Sequence, residues 1–166
     1  MLCLTSLGLF HTAISLIALA TGIIALVRDQ EITWNNLVGK IYVITTVITC
    51  LTGFGIFEHG GFGKPHALGI ITLLVLVLAF IAGSKSNPFG KASPYIKTVS
   101  YSATFFFHIV PAITETATRL PSDAPLASGP DDPNIQMVIG ICLVLFIIGA
   151  TLQVMKLRKK AKLEVK

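Results

Sequence analysis

Four ionisable side chains lie within or at the edge of long uncharged stretches of the sequence: His11, His66, His108 and Glu115. An ionisable group inside a membrane span is costly to bury, so it is a functional-site hypothesis by default. At about 1.5 Å of rise per residue, His11 lies about 10 Å, His108 about 15 Å and Glu115 about 5 Å below one membrane surface. His66 lies at that surface. All four are therefore predicted to share one half of the bilayer.

Three kinds of chemistry fit these residue types. The first is a b-type haem held by histidines of facing helices, with His11 and His108 as the first choice and His66 as the alternate. The second is a metal site built from the same three histidines and Glu115, because imidazole suits Zn, Cu and Fe. The third is a path for protons or a solute, in which His108 and Glu115 exchange protons along one helix.

Each of these side chains also has a purely structural interpretation. A histidine inside a helix bundle can simply bond to a Ser or Thr of a neighbouring helix, and His66 can cap or be solvated at its helix start. Glu115 can pair with Arg119 four residues later on the same helix face. The residue types alone leave these alternatives open.

The composition indicates which elements hold these side chains. Of 166 residues, 53% are hydrophobic and only 13% are charged, with a mean hydropathy of +0.78, whereas soluble domains are about 25% charged. Five uncharged runs cover 103 residues: 2–27, 41–57, 65–84, 98–114 and 133–155. A helix crosses a bilayer with about 20 apolar residues. These runs exclude a soluble enzyme, a disordered chain and a nucleic-acid-binding domain.

The sequence therefore predicts an all-α integral membrane bundle of five transmembrane helices. Their expected bounds are about 3–27, 37–57, 65–82, 98–118 and 135–155. We expect a single membrane domain over residues 1–157 and a basic cytoplasmic tail over 158–166. The expected partners are the lipid bilayer and other membrane subunits, and no nucleic acid.

Lysine and arginine are divided unevenly between the two predicted ends of the bundle. One end carries eleven of them, and the other carries only Lys64 and Arg119. Positively charged flanks stay in the cytoplasm. The predicted orientation has the N-terminus outside and the C-terminus inside, in the inner (plasma) membrane of a bacterium.

Small and polar residues form a stripe on three of the predicted helices, at alternating steps of three and four. The stripes are Gly8, His11, Ser15, Ala18 and Gly22; Tyr42, Thr46, Thr49 and Gly53; and Tyr101, Thr104, His108, Pro111, Glu115 and Thr118. Such spacing places each set on one helix face, and small residues let membrane helices approach closely. Helices 1 to 4 should therefore form a polar-lined core, with helix 5 at the periphery.

One segment resembles a known family. His11 with Gly22 eleven residues later, and Val38-Gly39-Lys40-Ile41-Tyr42-Val43 opening the second helix, resemble a family of uncharacterised bacterial multi-pass membrane proteins. Those proteins show a His-led first helix and an H-x-x-x-G-[RK]-x-Y-V start to the second. The resemblance covers about residues 11–60 and departs where Asn35-Asn36 replace the second histidine. It implies a compact helical bundle and carries no activity.

Histidines in several helices also give a looser likeness to bis-histidine b-type cytochromes, which implies haem. Because His11, His66 and His108 share one half of the bilayer, we expect a haem- or metal-binding membrane redox module for electron transfer. From another class, we expect a non-catalytic accessory subunit of a larger membrane complex, because the longest loop has only 15 residues. A small proton or solute transporter is the third expectation. No residue is assigned a catalytic role, and whether the chain is an enzyme stays open.

Overall fold

The computed structural model describes residues 5–56 and 61–164, and these ranges contain helices and their connections but no strand. The helices are α1 (Ser6–Arg28), α2 (Leu37–Gly53), α3 (Lys64–Ala82), α4 (Ser93–Arg119) and α5 (Pro133–Glu164), and a 3-10 turn, Gly90–Ala92, precedes α4. The all-α prediction is confirmed for these residues. Residues 3 and 4 of the predicted first helix and residue 57 of the second lie outside the described ranges.

The starts of α1 and α2 are set by side-chain caps. Thr5 Oγ1 accepts from the Gly8 N–H at 3.1 Å, and Asn36 Oδ1 accepts from the Gly39 N–H at 2.8 Å. Each cap satisfies one of the backbone donors that a helix start leaves unpaired. Asn36 also donates to Asp29 at 2.9 Å. Asn36, which stands in the segment where the resembling family has its second histidine, thus starts α2.

The ends of α2, α4 and α5 differ from the predicted bounds. α2 ends at Gly53 rather than at residue 57. α4 begins at Ser93, five residues before the predicted start, because Pro94 is well tolerated in a first helical turn. α5 continues nine residues beyond the predicted 155, since Lys and Arg are good helix formers and are favourable near a helix C-terminus. The segment expected as a basic tail is helical up to Glu164.

The first four helices pack as a closed ring. α1 contacts α2, α2 contacts α3, α3 contacts α4, and α4 returns to α1, whereas α5 contacts α4 alone among the helices. The enclosed apolar cluster includes Tyr42, Leu76 and Tyr101. The prediction that helices 1 to 4 form the core and helix 5 packs peripherally is confirmed.

Within residues 5–56 and 61–164, three helices are long and apolar enough to cross a membrane: α1, α3 and α5. α2 is apolar but has 17 residues, and α4 carries many polar side chains. Large apolar side chains such as Leu9, Leu74 and Leu145 are exposed. Extended exposed apolar surface is typical of an interaction with a membrane or a partner. The length and composition of these helices are compatible with a membrane location.

One end of the bundle gathers most of the lysines and arginines, and we call it the basic end. Here the connection between α1 and α2 meets the start of α4 and the last turns of α5. Glu31 lies 4.0 Å from Lys97 Nζ and accepts from Thr98 at 3.2 Å, and Lys156 donates to Gln30 at 2.8 Å. The opposite end brings Lys64 to Asp131 at 2.7 Å.

Candidate functional site

The polar stripe of α4 faces the core over most of its length. Tyr101, Thr104 and His108 are buried, with 2%, 0% and 6% of their surface exposed. Further along the helix the stripe reaches the surface, where the Glu115 side chain is 53% exposed and forms an ion pair with Arg119. The predicted pairing of Glu115 with Arg119 is confirmed.

His108 lies in a buried hydrogen-bond network between α2 and α4. Its Nε2 is 3.1 Å from the Thr46 hydroxyl, and its ring lies edge-on to Tyr42 at 6.2 Å between centroids. The Tyr42 hydroxyl is 2.9 Å from Thr104 Oγ1, which donates to the Tyr101 carbonyl at 2.8 Å. A Thr hydroxyl has one proton, so Tyr42 must donate to Thr104. We call Tyr42, Thr46, Thr104 and His108 the buried seam.

His11 of α1 makes an equivalent contact with α2. Its Nδ1 lies 3.0 Å from the Thr52 hydroxyl. That hydroxyl already donates to the backbone carbonyls of Ile48 and Thr49 at 2.8 and 3.1 Å. The His11 Nδ1 must therefore carry the proton and donate to Thr52. In the neutral ring, Nε2 then keeps its lone pair.

The structure brings three of the four predicted site residues into one region. His11 lies within electrostatic range of both Glu115 and His108.

His66 has a different role from the other two histidines. It lies in the first turn of α3, where Nδ1 accepts from the Gly63 N–H at 3.3 Å and the ring packs on Phe62 at 5.3 Å. This is the capping alternative. Over residues 5–56 and 61–164, no three His, Cys, Asp or Glu side chains are grouped to hold a metal ion.

Thr49 lies between the two histidine contacts on α2. It follows Thr46 by three residues and precedes Thr52 by three, which is about 4.5 Å along the helix in each direction. The residue is 8% exposed, and within the described part of the chain its Oγ1 has no hydrogen-bond partner. The neighbouring Thr45 instead donates to the Ile41 carbonyl of its own helix at 2.7 Å. Among the described residues, the Thr49 hydroxyl thus lies unpaired between the His108–Thr46 and His11–Thr52 contacts; we call it the uncommitted hydroxyl.

Sequence reasoning identified the histidines but not their partners. The stripe of Tyr42, Thr46 and Thr49 was visible on α2, yet its pairing with α4 depends on helix rotation that spacing does not give. Glu31 and Gln153 were also missed as contact residues. Only Gln153 had a signal in the sequence, because it is a single strongly polar side chain in a long apolar run.

Two glycines of the resembling segment lie in close contact with neighbouring parts of the chain. A Cβ on Gly22 would collide with the Phe105 ring of α4, and one on Gly39 would collide with the backbone carbonyl of Thr33. Both positions therefore require glycine for packing.

In comparisons of sequence and of fold, no family model, no curated protein and no solved structure matches this chain. The function therefore has to be argued from the geometry of the buried seam and the residues around it.

Proposed function

We propose that all five helices span the inner membrane of a bacterium, with the N-terminus outside and the basic end in the cytoplasm. α1 and α3 are long and apolar enough to span, and α2 joins the basic-end terminus of α1 to the opposite-end terminus of α3. α2 therefore has to cross between them. The same argument applies to α4, which connects α3 to α5. The lysines and arginines of the basic end support its cytoplasmic location.

The function that the site supports best is conduction of protons through the bundle. The observation that carries this proposal is the buried seam, in which His108 contacts Thr46 and Tyr42 contacts Thr104 inside the ring of four helices. Imidazole and hydroxyl groups can each donate and accept the proton of a hydrogen bond. These are the properties that a proton relay requires.

A carboxylate lies at each end of the path. Glu115 is exposed at the outer end and lies within electrostatic range of His11. At the basic end, Thr98 is buried and donates to Glu31. From residue 98 to residue 115 α4 rises about 26 Å, close to the thickness of the hydrocarbon layer, about 30 Å. Glu115 would collect protons, the seam would pass them, and Glu31 would release them.

The experiment is a flux assay on protein reconstituted into vesicles that contain a pH-sensitive dye. A potassium diffusion potential drives protons inward, and empty vesicles give the background. We expect the wild type to exceed that background several-fold and His108→Gln to return to it. His66→Gln removes an imidazole outside the seam and should retain the flux. A wild-type rate equal to that of empty vesicles would overturn the proposal.

The second candidate is a redox module that binds haem or a metal through His11 and His108. Its support is that the two side chains interact from facing helices and that His11 Nε2 is left to accept. His108 would have to exchange its Thr46 contact for the ligand. The absorption spectrum of purified protein tests this: haem gives a Soret band that sharpens on reduction with dithionite, and a colourless, metal-free preparation removes the candidate.

The accessory-subunit hypothesis stays a prediction. Its support is the exposed apolar circumference of α5, which contacts α4 alone among the helices. A stable monomer after mild detergent extraction and size-exclusion chromatography would contradict it.

A further inference from the structure

A cavity of about 300 Å³ lies between α4 and α5, with Leu26 of α1 also in its wall, and contains no residue of the buried seam. Its volume falls at the lower end of the range for small-molecule sites, about 300–1,000 Å³. Its walls are mainly apolar and include Phe105, Phe106, Phe146 and Gly149, with Ser102 and Gln153 as polar residues. Phe106 stacks on Phe146 at 5.6 Å, and a Cβ on Gly149 would meet nothing within 4 Å. The absent side chain at Gly149 therefore leaves space in this wall.

The polar residues of this cavity lead to the basic end of the bundle. Ser102 donates to Gln153 Oε1 at 2.9 Å, and Gln153 Nε2 donates to the Gln30 carbonyl at 2.8 Å. Lys156 Nζ donates to the side-chain oxygen of the same Gln30 at 2.8 Å. The site is therefore apolar along its length and polar toward the end where the lysines begin.

The helix face that lines the cavity continues into the basic segment. Positions 142, 146, 149, 153, 156 and 160 follow one another at steps of four, three, four, three and four, which places them on one side of α5. Lys156 and Lys160 thus lie in line with the cavity, and both are exposed. The partner of Lys156, the Gln30 amide, is neutral, so this contact leaves the lysine charge uncompensated.

We propose that the α4–α5 groove binds a phospholipid with an anionic headgroup. One acyl chain fills the apolar cavity, the ester region faces Ser102 and Gln153, and the headgroup phosphate contacts Lys156 and Lys160. Basic residues beside an apolar groove at the cytoplasmic surface are the features that select anionic lipid. The site uses no residue of the buried seam and is independent of proton conduction.

The test uses full-length protein in phosphatidylcholine vesicles with spin-labelled phosphatidylglycerol or phosphatidylcholine as the probe. The motionally restricted signal measures the lipid held by the protein. We expect the wild type to hold phosphatidylglycerol several-fold more strongly than phosphatidylcholine. The double variant Lys156→Gln/Lys160→Gln should lose this preference and keep its phosphatidylcholine signal. The control Arg158→Gln/Lys162→Gln removes the same charge from the opposite face of α5 and should retain the preference.

A second variant tests the cavity itself. Gly149→Leu fills the space in the α5 wall and should lower the restricted signal of both lipids. The proposal is overturned if the wild type shows no preference for phosphatidylglycerol. It is also overturned if both double variants lose the preference equally, because the positive charge of α5 would then attract anionic lipid without a defined binding site. It is also overturned if Gly149→Leu dissociates a dimer, since a second copy of the chain would then occupy the groove.

Discussion

Tyr42 of α2 and Thr104 of α4 share a hydrogen bond of 2.9 Å across 62 residues of sequence. Both side chains are fully buried. Since Thr104 gives its own proton to the Tyr101 carbonyl, the bond depends on the Tyr42 proton. Tyr42 is therefore the donor of this bond, which joins the two helices that carry the buried seam.

Tyr42→Phe tests this contact. The variant keeps the ring and removes the donor, so we expect a loss of about 1 kcal/mol in unfolding free energy, the usual worth of one hydrogen bond. Proton flux in vesicles should fall as well. Tyr95→Phe, on the same helix as Thr104 but outside the seam, is the control. A Tyr42→Phe protein with unchanged stability and flux would show that the bond is dispensable.

Thr49→Val tests the uncommitted hydroxyl. Valine has nearly the same shape, and the Thr49 Oγ1 has no hydrogen-bond partner within the described residues, so we expect equal or slightly higher stability because a buried unpaired polar group is costly. Flux should nevertheless fall if protons pass between the two histidine contacts. Thr45→Val is matched, since Thr45 bonds within its own helix. A marked drop in melting temperature for Thr49→Val alone would contradict this account.

Gly39→Ala should destabilise the protein by about 3 kcal/mol, the upper range for an inserted methyl group in a packed site. The new Cβ would collide with the Thr33 carbonyl, a backbone atom that no rotamer change moves. Gly140→Ala is the opposite case, because a Cβ there meets nothing within 4 Å. It should stabilise by up to about 1 kcal/mol through helix propensity. Thermal unfolding in detergent compares the two, and equal melting temperatures would refute the prediction.

Glu115→Gln should cost under about 1 kcal/mol, as exposed ion pairs usually do. The same change should lower proton flux and alter its pH profile, because Glu115 acts on His11 electrostatically. Combined with His108→Gln, the effects on flux should be non-additive, since residues of one site couple. Additive effects on flux would show that Glu115 does not belong to the same site as His108 and serves only in its ion pair with Arg119.

Asp132, just before α5, predicts a pH dependence of stability. The backbone N–H groups of Asn134 and Ser128 donate to its carboxylate and hold its pKa below the ordinary value. A depressed folded-state pKa stabilises the fold above the unfolded pKa, near 3.9, and this contribution is lost as pH falls through the folded value. Melting temperature below about pH 4 should therefore fall more steeply in the wild type than in Asp132→Asn. Parallel profiles would contradict the assignment.

The sequence predicted the helices well because long apolar runs and stripes of period 3.6 are local properties. The closed ring and the peripheral position of α5 followed from which helices carry stripes. The partners of His108 and His11 did not follow, because Thr46 and Thr52 are two of several threonines on α2 and only the rotation of the packed helix selects them. The extension of α5 to Glu164 was missed because charge was taken to end the helix.

In the proposed membrane topology, the length of α5 has a consequence for how deeply the protein sits in the membrane. Its 32 residues extend about 48 Å, well beyond a hydrocarbon layer of about 30 Å. Because the lysines at its end resist entering the apolar layer, they limit how far the helix can slide outward, while the tilt of α5 can absorb the remaining mismatch. A thicker bilayer would reduce that tilt and a thinner one would increase it. Among the helices, α5 contacts α4 alone. A change in membrane thickness would therefore alter the α4–α5 groove before it altered the ring of α1 to α4.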